Sequence, residues 1–358
     1  MPWAPERLQI TTDMLSDYSK SFGVKIPKME KLVPNLHDKV RYITHYRNLE
    51  LYLNLGMKLK QIRRVVMFDQ EPWVKSYVDL NTELRKNAKT EFEKSFFKLC
   101  VNCIFGKSLQ NNREHRSSKL ICNPTSAVKA LASERLSSFK IINKDLVLFD
   151  EFAKFVKLDR PIFTGFTVLE LSKTLMYEFH YNVMRPKYGE NLRLLFTDTD
   201  SLCYQIKTED LPSDLMSIKN DYLDTSNYPH DHPLFSKKNA RAYGYFKNEI
   251  SEGKEIIEFV GLKSKNYSIL ISRKDDLTKM TAKGIKKGYV KQSLRHEQYL
   301  RTLNDNVITR AKFQTISSKN HHLYTIKNNK ICLTAYDDKR FIKSDGISTL
   351  AYGHYKIR

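Results

Sequence analysis

The sequence has no apolar run approaching the ~18 residues a helix needs to cross a bilayer, which excludes a helical membrane span. It also lacks an apolar block near its start. Glu6, Arg7, Asp13 and Asp17 interrupt the first stretch, which excludes a secretory signal there. Cysteine is scarce: five residues, an odd number, thinly spread. That is no disulfide framework, and it points to a reducing, intracellular compartment. No internal repeat and no low-complexity tract is present. Acidic residues are in short supply, 40 Asp and Glu against 61 Lys and Arg.

What is there is enough for a substantial core. Hydrophobic residues make up 41% and aromatics 11% of 358 residues, which excludes a disordered or fibrous chain. The length suits two or three domains, or one large multi-lobed domain. The formal net charge is +21, and it is unevenly placed. From Gly261 to Arg358 there are 21 basic and 7 acidic residues. A basic excess of this size points to a polyanionic partner, most often nucleic acid. The alternative is a solvated basic surface that serves solubility.

The pattern along the chain predicts mixed α and β elements. Residues 1–36 read as loop-rich, with Pro2, Pro5, Pro27 and Pro34 as breakers. Val40, Ile43, Tyr46, Leu49, Leu51 and Leu53 recur near helical spacing, and Gly56 suits the closing cap. Residues 63–68 read as a short strand. Residues 81–107 read as one long helix, capped by Asn81 or Thr82 and ended by Gly106. Beyond Ser108, residues 145–158 read as paired strands and residues 169–189 as a helix ending near Pro186. Residues 192–206 read as strand, tight polar turn, strand. A second strand-rich zone covers 256–271, and a helical stretch lies near 285–304, followed by shorter elements.

The turn Phe196-Thr197-Asp198-Thr199-Asp200-Ser201 is the sharpest local feature. Carboxylates two residues apart on extended chain point to one face. Two such groups repel unless a cation lies between them, an arrangement suited to Mg²⁺ with substrate phosphates. An Asp-rich β-turn is the plainer alternative. On the preceding helical stretch, Lys98, Asn102 and Phe105 fall at i, i+4 and i+7, with Lys94 extending a cationic stripe. Ammonium, amide and ring in that order could hold a nucleoside triphosphate. A solvated amphipathic helix explains the same spacing.

Taken together, these stretches resemble a known family. Lys98-Leu99-Cys100-Val101-Asn102-Cys103-Ile104-Phe105-Gly106 resembles the family B DNA polymerase motif Lys-x-x-x-Asn-Ser-x-Tyr-Gly. Thr197-Asp198-Thr199-Asp200-Ser201 resembles the same family's Tyr-x-Asp-Thr-Asp-Ser motif, and the order matches. Lys265-Asn266-Tyr267 resembles the Lys-x-Tyr element of the protein-primed branch. Residues 45–59, 92–107, 337–340 and 352–357 are similar to polymerases of Polinton/Maverick-type elements and related viruses. The resemblance implies an α+β, right-hand polymerase architecture with an antiparallel palm sheet, helical fingers and a basic thumb. It implies a palm remnant at 1–36, fingers at 37–113, palm with catalytic hairpin at 114–268 and thumb at 269–358. It further implies template-directed deoxynucleotidyl transfer to a primer 3′-OH.

By the same resemblance, Asp200 and Asp198 bind the catalytic Mg²⁺. Lys98, Asn102, Phe105 and Gly106 form the nucleotide pocket, and Lys265 and Tyr267 hold the primer end. Lys283, Lys286 and Lys287 grip DNA. The implied partners are primer–template DNA, deoxynucleoside triphosphates and a terminal protein primer, with no membrane. The nucleus or a viral replication site is the implied location. The alternative is a non-catalytic DNA-binding remnant.

Several positions depart from the family pattern. Cys103 stands where Ser is usual and Phe105 where Tyr is usual, so the ring remains and its hydroxyl is lost. The family's upstream metal-binding Asp motif precedes a segment resembling Met1-Pro2-Trp3-Ala4-Pro5-Glu6-Arg7-Leu8, at which this sequence begins. The expectation is therefore an N-terminally truncated copy with an incomplete two-metal site. Asp13-Met14-Leu15-Ser16-Asp17-Tyr18 mimics the missing motif, yet it follows that segment and no apolar strand is expected before it. Cys100 and Cys103 lack a second pair for zinc. His230, His232, His321 and His322 read as solvated loop histidines. Arg85, Lys86 and Lys89 are weaker candidates for triphosphate contact.

Overall fold

The computed structural model describes residues 3–250, 254–272, 277–319 and 321–357. It is a mixed α+β protein whose ladders are antiparallel, apart from short parallel contacts at Leu223–Asp224 with Phe246–Lys247 and at Asn35 with Tyr352. Residues 3–36 are more ordered than the proline pattern predicts. Strand β1 (Glu6–Gln9) pairs with β2 (Glu30–Val33), so a short strand does precede Asp13. Ile10, Leu15, Val33 and Tyr352 form a small core that joins this ladder to the C-terminal segment. Met1 and Pro2 of the opening motif lie outside the described residues.

The first helical region is shorter than its periodicity suggests. Helix α1 covers Tyr46–Asn54, capped by the His45 ring, and residues 37–44 are irregular. Its placement depends on Glu170, which is 2% exposed. Glu170 Oε2 accepts from the Thr44 hydroxyl (2.9 Å), the His45 N–H (3.3 Å) and the Asn48 amide (3.0 Å). Its Oε1 accepts from the Lys173 ammonium at 2.6 Å. Burial opposes the charge, and these donors outweigh it, holding the carboxyl below its ordinary range. Residues 63–68 form no strand; Val65 and Met67 are open to solvent, with no partner strand to pair the backbone.

The expected single helix over 81–107 is two helices. Helix α2 runs Lys75–Asn87 and helix α3 runs Glu91–Ser108. The break has a local cause in the Thr90-to-Glu93 capping box. The Thr90 hydroxyl accepts from the Glu93 N–H and the Glu93 carboxylate accepts from the Thr90 N–H. Asn81 and Thr82 are therefore mid-helix, their side chains donating to the Tyr77 and Val78 carbonyls. Gly106 lies inside α3 and does not end it. The three-stranded sheet β3 (Arg116–Ile121), β4 (Leu136–Asn143) and β5 (Leu146–Phe152) has β5 at its centre, with helix α4 (Pro124–Leu131) between β3 and β4 in sequence. Residues 153–158 do not extend the pairing.

Helix α5 (Ile162–Glu178) continues through a π turn, Phe179–Met184, and a last turn, Arg185–Tyr188. Pro186 lies in that last turn, and the helical stretch closes two residues beyond it at Tyr188, as the sequence leads one to expect. The C-terminal end of α3 rests on α5 at Gly165. A Cβ there would come within 2.4 Å of Ser108 Oγ and 2.5 Å of Leu109 Cγ. Strands β6 (Leu192–Asp198) and β7 (Ser201–Ile206) form the expected hairpin.

Downstream, β8 (Glu258–Lys263), β9 (Asn266–Ser272) and β10 (Leu277–Ala282) form a second three-stranded sheet. Helices α6 (Lys287–Ser293) and α7 (His296–Asp305) divide the helical stretch expected at 285–304. They cover this sheet through a core of Val260, Leu262, Val290, Leu294, Tyr299 and Leu333. A long hairpin that the sequence reading lacks follows, β11 (Thr309–Lys319) with β12 (His322–Leu333). Its inner ends, Ala311 and Cys332, enter that same core.

Candidate functional site

The carboxylate turn sits at the tip of β6–β7. Asp198 pairs with Ser201, leaving Thr199 and Asp200 as a two-residue connection. The Asp200 N–H donates to the Asp198 carbonyl at 2.6 Å, and Thr199 takes φ +52°. A β-branched residue rarely enters that region, at a cost of order 1–3 kcal/mol. Asp200 is therefore in a tight turn and not on extended chain, so strand alternation is not what relates the two carboxylates. The turn itself places them at one tip. Asp200 is exposed and Asp198 half-buried.

The second hairpin meets this tip. Ser264 and Lys265 connect β8 to β9, with Lys265 at φ +57°. Lys265 Nζ lies 3.1 Å from Asp198 Oδ1. Rings behind the pair fix the approach. Phe196 stacks on Tyr267 with centroids 4.7 Å apart and planes at 21°, and Phe259 lies 5.7 Å from Phe196 and 6.0 Å from Tyr267. Burial pushes the Tyr267 hydroxyl up; Lys279 opposes the shift and the Asp198 charge adds to it. The Lys265 carbonyl accepts from the Lys283 N–H at 3.0 Å, which ties this tip to the segment carrying the exposed Lys283, Lys286 and Lys287.

Sheet β8–β9–β10 is held rigidly on its other face. Ser268 is fully buried and its hydroxyl lies 2.8 Å from His296 Nδ1, while His296 Nε2 lies 3.2 Å from Glu258. The order Ser–His–carboxylate invites a nucleophile reading. With no solvent access to Ser268, the trio is a polar strut that joins β8 and β9 to α7. Asn266 donates to the Cys332 carbonyl at 3.0 Å and Tyr299 to the Thr281 carbonyl at 2.9 Å, completing the brace.

The remaining expected residues lie apart from this pair. Lys98, Asn102, Phe105 and Gly106 are on the exposed side of α3. Among the described residues, they make no hydrogen bond, ion pair or ring contact with Asp198 or Lys265. Lys94 pairs with Glu91 at 2.7 Å and Lys86 with Glu83 at 2.9 Å. Cys100 and Cys103 are free thiols on α3. Asp13 is exposed and held acidic chiefly by a Thr11 hydrogen bond. Among the described residues, no three His, Cys, Asp or Glu side chains converge as a metal cluster.

Of the histidines expected in solvent, His230, His321 and His322 are exposed, and three of the four also have partners. His232 Nδ1 accepts from the Leu234 N–H, and His230 contacts the Phe235 ring. His321 Nε2 lies 2.7 Å from the Asp150 carboxylate, and the Lys140 ammonium donates to the His321 carbonyl at 2.7 Å. The tip of β11–β12 thus touches the β3–β5–β4 sheet, a contact with no signature in sequence spacing.

The donor set suits Mg²⁺ in kind. Magnesium prefers hard oxygen and keeps most of its waters, taking one or two carboxylates with substrate phosphates supplying the rest. Asp198 and Asp200 would supply that pair for one ion; a two-metal arrangement calls for a further carboxylate. No protein-family model, curated protein or solved structure matches the chain.

Proposed function

We propose that the chain is a template-directed DNA polymerase of the protein-primed family B type, with fingers at 37–113, palm at 114–268 and a basic thumb at 269–358. The observation that carries this reading is the meeting of two motifs. Asp198 and Lys265 come from stretches 67 residues apart that separately resemble the family, and they stand 3.1 Å from each other. In this reading Asp198 and Asp200 hold Mg²⁺. Bound there, the ion supplies charge stabilisation at phosphoryl oxygens. Lys98 attracts the triphosphate of the incoming nucleotide, while Asn102, Phe105 and Gly106 shape its pocket. Lys265 and Tyr267 orient the primer end, so that its 3′-oxygen attacks the α-phosphate in line and pyrophosphate leaves. Lys283, Lys286 and Lys287 neutralise backbone phosphates of the duplex.

Primer extension with four deoxynucleotides and Mg²⁺, with Asp200→Ala alongside and a parallel gel shift, tests the proposal. Because a two-metal site needs a carboxylate beyond Asp198 and Asp200, the expected result is weak extension that drops by about 100-fold or more in Asp200→Ala. Extension unaffected by that change refutes the site. The second reading, DNA binding without transfer, is favoured by the ammonium that already neutralises Asp198. A gel shift without extension selects it.

A further inference from the structure

Lys265 occupies the position that a bound cation would share. Its ammonium is within ion-pair distance of a carboxylate assigned to the metal, and both groups are partly open to water, with side-chain exposures of 56% and 39%. The pair is set by rigid surroundings and not by chance. The Phe196, Tyr267 and Phe259 rings fix one tip against the other, and the Lys283 N–H holds the Lys265 carbonyl. The free element is the flexible four-carbon stem of the lysine. An exposed ion pair of this kind is weak enough to be exchanged for a better partner. A backbone phosphate is such a partner for an ammonium.

We propose that Lys265 is an exchangeable counter-ion. In the free protein it neutralises Asp198 and competes with a divalent cation. When nucleic acid binds, a phosphate takes the ammonium and Asp198 is released, so cation binding and DNA binding reinforce each other. This rests on the polymerase reading for the cation at Asp198 and for the identity of the polyanion, while the ion pair that would compete is in the structure itself. Linkage makes the coupling reciprocal: the cation raises affinity for DNA by the same factor.

The test is binding of Mn²⁺, followed by the electron paramagnetic resonance signal of the free ion at fixed ionic strength. Wild type, Lys265→Met, Lys265→Arg and Asp198→Asn are compared, each with and without a short primer–template duplex. Duplex-only controls are subtracted. Without DNA, Lys265→Met binds Mn²⁺ about 2- to 5-fold more tightly than wild type, the range set by an exposed ion pair. Lys265→Arg retains the charge and behaves as wild type. Duplex raises the affinity of wild type by a similar factor and leaves Lys265→Met nearly unchanged. Equal affinities in wild type and Lys265→Met overturn the inference, as does the absence of any Asp198-dependent Mn²⁺ binding. An equal effect of duplex on both proteins overturns the coupling. Failure to bind duplex at all refutes the polymerase reading instead, and the DNA-free arm then still decides the counter-ion role.

Discussion

The stacked rings behind the Asp198–Lys265 pair give a prediction whose size follows from the structure. Phe196 and Tyr267 are half-buried, with centroids 4.7 Å apart and planes at 21°. An aromatic pair in this geometry is worth about 0.5–1.5 kcal/mol beyond the area it covers. Truncating Phe196 to Ala also removes its contact with Phe259 and its buried surface. Phe→Ala in a full core costs about 3–5 kcal/mol, so a half-buried ring should cost about 2 kcal/mol. A double-mutant cycle of Phe196→Ala and Tyr267→Ala separates the pair energy from these other losses. Native-state hydrogen exchange of the β6 and β9 amides is the suitable assay, since it reads local opening and needs no global two-state transition. The coupling should appear as protection that departs from multiplicative loss by about 2- to 13-fold, the pair energy converted at 1.36 kcal/mol per decade. Protection factors that multiply independently, within about 0.3 kcal/mol, would show that the rings do not join the two hairpins.

Two further outcomes follow from buried positions. His180 is 4% exposed, stacked on the Tyr204 ring, and burial lowers its pKa to about 4. A depressed histidine contributes stability that is complete above its unfolded value near 6.5 and is lost as pH falls from there toward 4. Wild type should lose about 3 kcal/mol more than His180→Phe over that window in chemical unfolding; parallel curves would refute a neutral buried imidazole. At Gly165, the close approach of Ser108 and Leu109 predicts that Gly165→Val destabilises by about 1–3 kcal/mol. Gly165→Ala should lose too, although helix propensity favours Ala by about 1 kcal/mol. Thermal unfolding checks both, and an Ala variant more stable than wild type would contradict the contact.

Local signals in the sequence served well where the physics was local. The apolar flanks and polar turn of residues 192–206 specify the β6–β7 hairpin, and the strand-rich zone at 256–271 holds β8 and β9, although its turn was not legible. Local reading failed where two local signals competed. The helical pattern over 81–107 conceals the Thr90 and Glu93 capping box, which starts a new helix. Periodicity from His37 suggests a helix, yet Glu170 on a distant helix binds Thr44, His45 and Asn48 and so settles where α1 begins. Asp198 and Asp200 were legible as a pair at a polar turn, but the turn's backbone was not, because a positive φ at Thr199 breaks the usual residue preference. The ion pair to Lys265 and the seat of His321 on Asp150 depend on tertiary placement, and no spacing rule reaches across 67 or 171 residues.

Residues 306–336, which include the β11–β12 hairpin, contain no Asp or Glu. Two of the acids downstream, Asp337 and Asp338, are buried and paired with Arg340 and Lys31. These carboxylates are therefore spent inside the fold and do little to relieve the cationic surface, so the outer face of this region is more basic than its composition alone conveys. The core that seats the root of the hairpin, through Ala311, Cys332 and Leu333, also contains Val260 and Leu262 of β8, the strand that leads to Lys265. A polyanion drawn to the hairpin would meet a surface that shares its core with the strand leading to the lysine that neutralises Asp198. Long-range attraction and the local exchange of one ammonium would then act through a single packed body. That continuity is why the effect of Lys265 on cation binding should depend on whether nucleic acid is present.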